Sequence, residues 1–452
     1  MDRTKAKAIF DKVFKLSPAR MTEVTIRRQS RILSRFSRSD VTQNFAEDDL
    51  DIAIRVVKDG RMGRAVTNRL NSSSLTTCCE NALKLARNAA VDENILPLPG
   101  VQKYLTTNAY FESTAGSTPG KNVELIKQIV ENEQDRSISY TGQVETETQS
   151  LAVANSQGLF AHTKTTGATL NLVAINENGN TGFSTVNSPD MEKIDPVLTA
   201  KRATSQLREP FKTRRISPGE YAVVLDPLAV LSLLSLLIID YVSQISHFSG
   251  SAVINNEGIV AGRIGERVFG ENFTLDDDVF HPLMQGVPFD GEGMPTMPVI
   301  LIFQGVLAQL VHSRSSALRM SEEPTGHSLA LPNPYGAIPQ NLVMQGGESS
   351  VDEMIKSTKR GVYVSRFWYT RLVDPGQLTV TGLTRDGAFL IEDGRITGRL
   401  DDLRFNESLY NVFSRIDALG KAERTWDIES RQLMVVPPLR IDGFRFTGST
   451  KD

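Results

Sequence analysis

The N-terminal part of the chain alternates between two apolar periods. In "MDRTKAKAIFDKVFKL" apolar positions are interleaved with charges at helical spacing, which predicts an amphipathic helix from Met1 to Leu16. In "DLDIAIRVVKDGRMGRAVTN" the period falls to two, and Asp59-Gly60 at its centre predicts a hairpin turn. Ser72 to Ser74 are expected to cap a helix whose apolar face runs Leu75, Cys79, Ala82, Leu83 and Ala86. "LPLPGVQKYL" at 96–105 reads as a linker, and residues 123–133 as a further helix. From 137 to 187 strands are expected, broken by turn residues at Asn155 to Gly158 and Asn176 to Gly179.

The second half has a different texture. "MPTMPVILIFQGVLAQLVHS" predicts a strand pair turning at Gln304-Gly305. Residues 321–347, rich in Pro and Gly, predict a long functional or connecting loop. Strands follow from Gly361 onward, with turns expected at Asp386-Gly387 and Asp393-Gly394. Residues 406–420 predict a short helix and "LRIDGFRFTG" a last strand. The sum is an α+β fold of antiparallel sheets with a few helices. An N-terminal α/β domain is expected over 1–215, with a β-rich middle segment at 137–190, and a larger β-rich C-terminal domain over 216–452.

The most apolar stretch, "EYAVVLDPLAVLSLLSLLIIDYVS", raises the question of a membrane span. The run between Asp226 and Asp240 is interrupted by Ser232 and Ser235 and falls short of the roughly 18 apolar residues that a crossing needs. Asp226 suits a helix N-cap, and Pro227 suits the first helical position, where a missing N–H costs nothing. A helix buried on all sides is predicted, with no membrane segment.

Charge narrows the function classes. A formal net charge of −3 over 452 residues argues against a dedicated nucleic-acid binder, which needs a basic surface for phosphates. The arginines of "IRRQSRILSRFSR" then read as the solvent face of a strand pair. The N-terminus carries no apolar export core, and the two cysteines, Cys78 and Cys79, are adjacent, so no disulfide framework is expected. Together these point to a cytoplasmic setting.

Familiar catalytic signatures are missing. No glycine-rich loop ends in Gly-Lys-Ser/Thr, "GRIGERVFG" has the wrong spacing for a dinucleotide site, and there is no G-x-S-x-G elbow. The five histidines are scattered, whereas a zinc site needs three or four converging ligands. "TLDDDVFHP" reads as a solvated acidic loop. "PFDGEGMPT" is more pointed. Asp290 and Glu292 between glycines and prolines suggest a fixed turn with its oxygens aimed inward or across an interface. A hydrolytic site built from Asp290, Glu292 and His281 is the alternative in which this chain is itself an enzyme.

The ordered set of segments resembles the TldD/PmbA family. It begins at "DLDIAIRVVKDGRMGRAVTN" and continues through "NSQGLFAHTKTTGATLNLVA" and "GEYAVVLDPLAVLSLL". It is clearest in "PFDGEGMPTMPVILIFQGVLAQLVHSRSSA" and closes with "VSRFWYTRLVDPGQLTVTGLTRDGAFLIEDGRITGRLDDLRFNESL". The resemblance implies one of two kinds of subunit. The TldD kind is a cytoplasmic metallopeptidase with a zinc helix of the form HExxxH. The PmbA or TldE kind lacks those ligands and pairs with a TldD subunit to process peptides.

Aligning "VVL" at 223–225 with the strand before the zinc helix sets the motif histidines near Ser235 and Asp240 and the glutamate near Leu236. Serine is a poor zinc ligand and leucine cannot act as a general base. Both cysteines also precede the region where TldD-type members place a C-terminal cysteine ligand. The resemblance therefore implies a TldE-like chain with no catalytic residue and no metal of its own, with zinc expected in a TldD-type partner. Asp290, Glu292, Arg366 and Tyr369 are the candidate substrate-binding or interface residues. The rival reading is a homodimer that binds peptides without cutting them.

Overall fold

The computed structural model describes residues 1–207, 213–248, 263–333 and 335–450, with side chains described outside 239–248. Among these residues the strands form three sheets. The first contains β1 (Met21–Ser37), β2 (Asp40–Lys58), β3 (Arg61–Thr67), β4 (Ser139–Asn155), β5 (Phe160–Ile175) and β6 (Thr181–Ser188). Its order is β3-β2-β1-β4-β5-β6, and every neighbouring pair is antiparallel. Asp59 and Gly60, at φ 52° and 67°, make the expected tight turn between β2 and β3.

Alternation along these strands gives the first sheet two unlike faces. Ile26, Ile54, Val56, Val144, Leu170 and Leu172 point to the face covered by helices. Those helices are α1 (Arg3–Leu16), α2 (Ser72–Asn88), α3 (Glu112–Ala115), α4 (Pro119–Asn132) and α5 (Pro196–Ser205). Helix α2 lies so close to β3 that a Cβ on Gly63 would sit 2.2 Å from the Ala82 carbonyl oxygen. The cap of α2 is Asn71, one residue before the serines expected to do that work; its side chain accepts from Ser74 N at 2.8 Å. Helix α4 starts at Pro119 behind a Thr118 cap, earlier than the apolar pattern suggested. The opposite face of the sheet carries Glu23, Arg31, Arg55, Glu145, Asn171 and Asn187, and it meets the second half of the chain.

That second half holds the other two sheets. Its strands are β7 (Thr213–Arg214), β8 (Gly219–Leu225), β9 (Leu275–Asp277), β10 (Val299–Phe303), β11 (Val306–Leu307) and β12 (Leu342–Met344). Then come β13 (Arg360–Asp374), β14 (Thr379–Glu392), β15 (Arg395–Leu400), β16 (Leu403–Ser408) and β17 (Ile416–Leu419). The last three are β18 (Glu423–Asp427), β19 (Gln432–Val436) and β20 (Leu439–Ser449). One sheet runs β11-β10-β9-β12-β19-β18, and the larger runs β13-β8-β20-β16-β14-β15-β7, with β17 on β20. Most pairings are antiparallel, as an α+β chain requires, while β8–β13, β7–β15 and β12–β19 are parallel.

Helix α6 (Pro227–Phe248) fills the space between these sheets. Leu231, Leu233, Leu234 and Leu237 pack with Leu301, Val362, Val364, Ile441 and Phe444 in one apolar cluster. Burial of this kind contributes about 1.5–3 kcal/mol per large side chain. No described helix is long and apolar enough to cross a membrane. Among the described residues three short helices also belong to this half: α7 (Arg314–Met320), α8 (Val351–Lys356) and α9 (Leu409–Ser414).

Three local expectations are corrected. The helix predicted over 406–420 is only α9, because Asn406 to Ser408 stay paired to β14 and Ile416 to Leu419 pair with β20. Asp386-Gly387 is not a turn. It is a bulge inside β14, where two residues on β14 face the single Ser365 of β13. The acidic run at 276–278 is not a solvated loop either. Asp277 ends β9 fully buried, with Nε2 of His327 at 3.0 Å and the backbone N–H of Gln340 and Asn341 on its carboxylate. Burial opposes its charge, but His327 and Asn341 together hold its carboxyl below the usual range.

Candidate functional site

The site is best built from the start of α6. Strand β8 runs parallel to β13, so Asp226 leaves the sheet beside Val364 and its N–H donates to the Val364 carbonyl at 3.0 Å. Pro227 takes the first helical position, and Val230 N–H closes on the Asp226 carbonyl at 3.1 Å. The Asp226 carboxylate accepts the Tyr363 hydroxyl, both residues half-buried at the floor of a cleft. Burial pushes the Asp226 carboxyl up to about 7 and the Tyr363 hydroxyl well above its ordinary value.

Two turns into α6, Ser235 and Leu236 face the interior, each 8% exposed. The Ser235 hydroxyl bonds the Leu231 carbonyl at 2.8 Å and the side chain of Gln432 on β19. Leu236 belongs to the central apolar cluster. The side chain of Asp240 lies outside the described residues. A structural or catalytic zinc takes thiolate, imidazole or carboxylate donors. A hydroxyl already engaged with Leu231 and Gln432, next to an alkyl side chain, is not such a donor set. Among the described residues no three His, Cys, Asp or Glu side chains gather where they could hold a metal.

Asp290 and Glu292 share one buried loop, aimed inward. Asp290 accepts backbone N–H bonds from Glu292, Met294 and Ser328, each at 2.9 Å. Burial and the neighbouring Glu292 charge nevertheless push its carboxyl up to about 7. Glu292 is paired with Arg314 at 3.4 Å and lies near the buried Glu23–Arg55 pair of the first sheet. The loop also docks on the first half of the chain. Tyr104 donates to the Gly293 carbonyl at 2.7 Å, and Phe289 packs with Val153 and Leu159. The two carboxylates brace the loop from within, on Ser328 and Arg314, while its Gly293 carbonyl and Phe289 make the contacts to the first half. His281 is not gathered with them into a metal-binding group.

Arg366 and Tyr369 part company. Arg366 is buried, donating from Nε to Asp386 at 2.8 Å and from Nη1 to Glu429 at 3.2 Å, with its guanidinium 4.5 Å over the Phe183 ring. Its partner carboxylate is the one carried inward by the β14 bulge. Tyr369 is 58% exposed at φ 57°, beneath Arg371. Between them Phe367 packs in the core against Phe405 and Phe444, while Trp368 is half-buried under Arg385.

A groove between the polar face of the first sheet and β18 was not singled out by any sequence signal. Its larger part, a cleft of about 710 Å³, reaches from Phe183 and Thr185 to Asp226, Tyr363, Ser365 and Arg424. A smaller cavity of about 180 Å³ lies between Glu145, Glu147, Thr169, Trp426 and Arg431, and Arg424 lines it too. Glu145 bridges Arg31 at 2.8 Å and Arg431 at 3.0 Å, tying β1 and β4 to the C-terminal sheet. Burial opposes the Glu145 charge, but the two arginines win and hold its carboxyl below the usual range. Glu147, half-buried beside it, is pushed up by burial and by the Glu145 charge. The other arginines of the basic N-terminal stretch behave as expected: Arg27 and Arg28 sit at the surface, paired with Asp51 and Asp48.

Comparison with known proteins follows from this architecture. A family model described as the PmbA/TldA metallopeptidase C-terminal domain matches residues 218–448, and one described as PmbA/TldA metallopeptidase domain 1 matches 22–86. Metalloprotease PmbA of Escherichia coli O157:H7 is 24% identical over 422 residues, covering 87% of this chain and 85% of the relative. A metalloprotease of Methanocaldococcus jannaschii is 29% identical over 259 residues, and the match spans 55% of that relative. The crystal structure of TldE from Thermococcus kodakarensis has the same fold, with a TM-score of 0.86 at 21% identity, covering 98% of this chain and all of that one. With its C-terminal match alone taking in more than half of the residues, this chain belongs to the PmbA/TldD metallopeptidase family.

Proposed function

We propose that this chain is the non-catalytic, TldE-like subunit of a TldD/TldE-type metallopeptidase that processes peptides and unfolded segments. The observation that carries the reading is the chemistry at Ser235 and Leu236. Positions aligned with a zinc ligand and a general base hold an engaged hydroxyl and a core leucine. The hydrolytic zinc belongs to the partner. This chain contributes walls: its groove offers polar groups and strand backbone along which an extended peptide can lie by main-chain hydrogen bonds. The cytoplasm suits the pair, because the buried thiols of Cys78 and Cys79 are free.

Co-expression with a cognate HExxxH-bearing subunit tests this. The two chains are expected to co-purify, and cleavage of an unstructured peptide is expected from the pair and not from this chain. Metal-dependent cleavage by this chain alone would overturn the assignment. The groove, being complete within one chain, also favours a second reading in which a homodimer binds peptides without cutting them. Normal peptide affinity without a TldD-type partner, and no gain in cleavage with one, would select that reading.

A further inference from the structure

Half-buried Arg424, like Arg64 on the Leu331 carbonyl, differs from most arginines of the interface in meeting no carboxylate. Arg31, Arg55, Arg314, Arg366 and Arg431 each meet a carboxylate. Arg424 meets only neutral acceptors: Nε donates to Asn187 Oδ1 at 2.8 Å, and Nη1 donates to the carbonyls of Leu283 and Met284 at 2.7 and 2.6 Å. A guanidinium has five N–H donors, so hydrogen-bonding capacity remains. Burying a cation without an anion is costly, and burial alone pulls the Arg424 pKa down to about 10.

The surrounding cleft is short of partners in the same way. Ser365 Oγ, in a residue 6% exposed, sits beside the Tyr363 hydroxyl and makes no hydrogen bond of normal geometry. Thr185 Oγ1 is buried and unpaired, as is Nδ2 of Asn171, its register partner on β5. Ser365, Thr185 and Arg424 all line the cleft, together with the first residues of the 22-residue helix α6, whose N-terminal end favours negative charge. Arg202 and Lys421 stand exposed at its rim. Two carboxylates line the cleft, Asp226 on the floor, pushed up to about 7, and the exposed Glu423, and Arg424, Arg202 and Lys421 set three cations against them. Val186, Leu283 and Pro438 add apolar wall.

We propose that this cleft is a binding site for a peptide carboxylate, received by Arg424 and hydrogen-bonded by Thr185 and Ser365. An arginine fork is suited to a planar carboxylate, and the unpaired hydroxyls complete the set. The inference rests on the peptide-handling reading above only for the ligand's being a peptide. It does not require the partner subunit. A terminal carboxylate and an acidic side chain share this chemistry.

The test is calorimetric titration of the isolated full chain with three probes. One is a short acetylated alanine–leucine peptide with a free C-terminus. The second is its C-terminal amide, and the third the amide with one internal glutamate. The free acid is expected to bind about tenfold more tightly than the amide, as one charge-assisted contact gives. A glutamate peptide matching the free acid would show that the site takes a carboxylate from either source, and one matching the amide would assign it to the terminus. Arg424→Gln is expected to abolish the preference, and Arg424→Lys to restore part of it. Because Arg424 also braces Leu283 and Met284, the exposed Lys421→Glu and Arg202→Glu variants serve as controls that leave the interior alone. Each should weaken the charged probe several-fold and spare the amide. Equal affinity for all three probes, or no measurable binding of any of them at millimolar concentration, overturns the proposal. Loss of cleavage by the subunit pair bears on the subunit assignment and leaves this result standing.

Discussion

Arg55 and Glu23 face each other across β1 and β2 on the polar side of the first sheet. The pair is bidentate, at 2.9 and 2.6 Å, with Arg55 4% and Glu23 3% exposed. Arg55→Met keeps the stem and removes the charge. It leaves a buried carboxylate without its partner and takes from Glu292 one of the two cations that oppose its burial. Breaking such a pair from one side costs about 3–5 kcal/mol, whereas replacing both partners with uncharged groups of similar size costs much less. The double variant Glu23→Gln/Arg55→Met should therefore recover all but about 1–2 kcal/mol of the loss. Urea denaturation checks this. Circular dichroism follows all the sheets, while Trp368 and Trp426 report the second half. The loss in Arg55→Met should also shrink as the pH falls, because Glu292, already pushed up by burial, then takes up a proton more readily. A single variant costing under about 1 kcal/mol, or a double variant as unstable as the single one, would refute the reasoning.

Three further outcomes are expected. Rebuilding the motif as Ser235→His/Leu236→Glu should destabilise the protein by at least about 3 kcal/mol and bind no stoichiometric zinc, because the new carboxylate enters the apolar cluster around α6. A folded, zinc-loaded variant counts against that. Asp226, raised from 3.8 to about 7, is protonated in the folded state while ionised in the unfolded chain. It therefore lowers stability as pH rises through that window, by at most about 1.4 kcal/mol per pH unit. His162 and His312, lowered by burial, act in the opposite direction below their ordinary 6.5. The melting temperature of Asp226→Asn relative to the wild type should climb between about pH 5 and about pH 8, and a constant gap rejects the assignment. Cys79, fully buried and with its thiol pushed up to about 11, should resist aromatic disulfide reagents until urea unfolds the chain. Rapid labelling of the native protein contradicts that.

What could be read from the sequence was whatever depends on neighbours in the chain. Asp226-Pro227 before a greasy run signals a helix start, and Asp59-Gly60 or Gln304-Gly305 between alternating segments signals a turn, because caps and positive φ are local demands. Asp290 and Glu292 could be flagged as inward-facing from their glycine and proline setting, but not assigned to a docking loop, since Ser328 and Arg314 come from other segments. Asp386-Gly387 misled because an Asp-Gly pair supplies positive φ equally to a turn and to a bulge, and Arg366, which rewards the bulge, lies on another strand. Asp277 and Arg424 look like surface charges in polar surroundings. Their burial comes from His327 and Asn341 in one case and from Asn187, Leu283 and Met284 in the other.

The bulge at Asp386 has a consequence for how this family member can vary. Before it, Thr384 lies opposite Phe367, and Arg385 lies opposite Arg366; after it, Ala388 lies opposite Val364. Thr384 and Ala388 are both buried and lie four residues apart on β14, while their partners Phe367 and Val364, both in the core, lie three apart on β13. The additional residue thus lets β13 change its inward parity while β14 keeps its own. Excising Gly387 alone would turn one end of the hairpin inside out, exchanging greasy side chains for wetted ones along its length. Length changes in this ribbon are therefore best tolerated in pairs, or beyond the bulge toward the turn at 375–378 that joins the two strands.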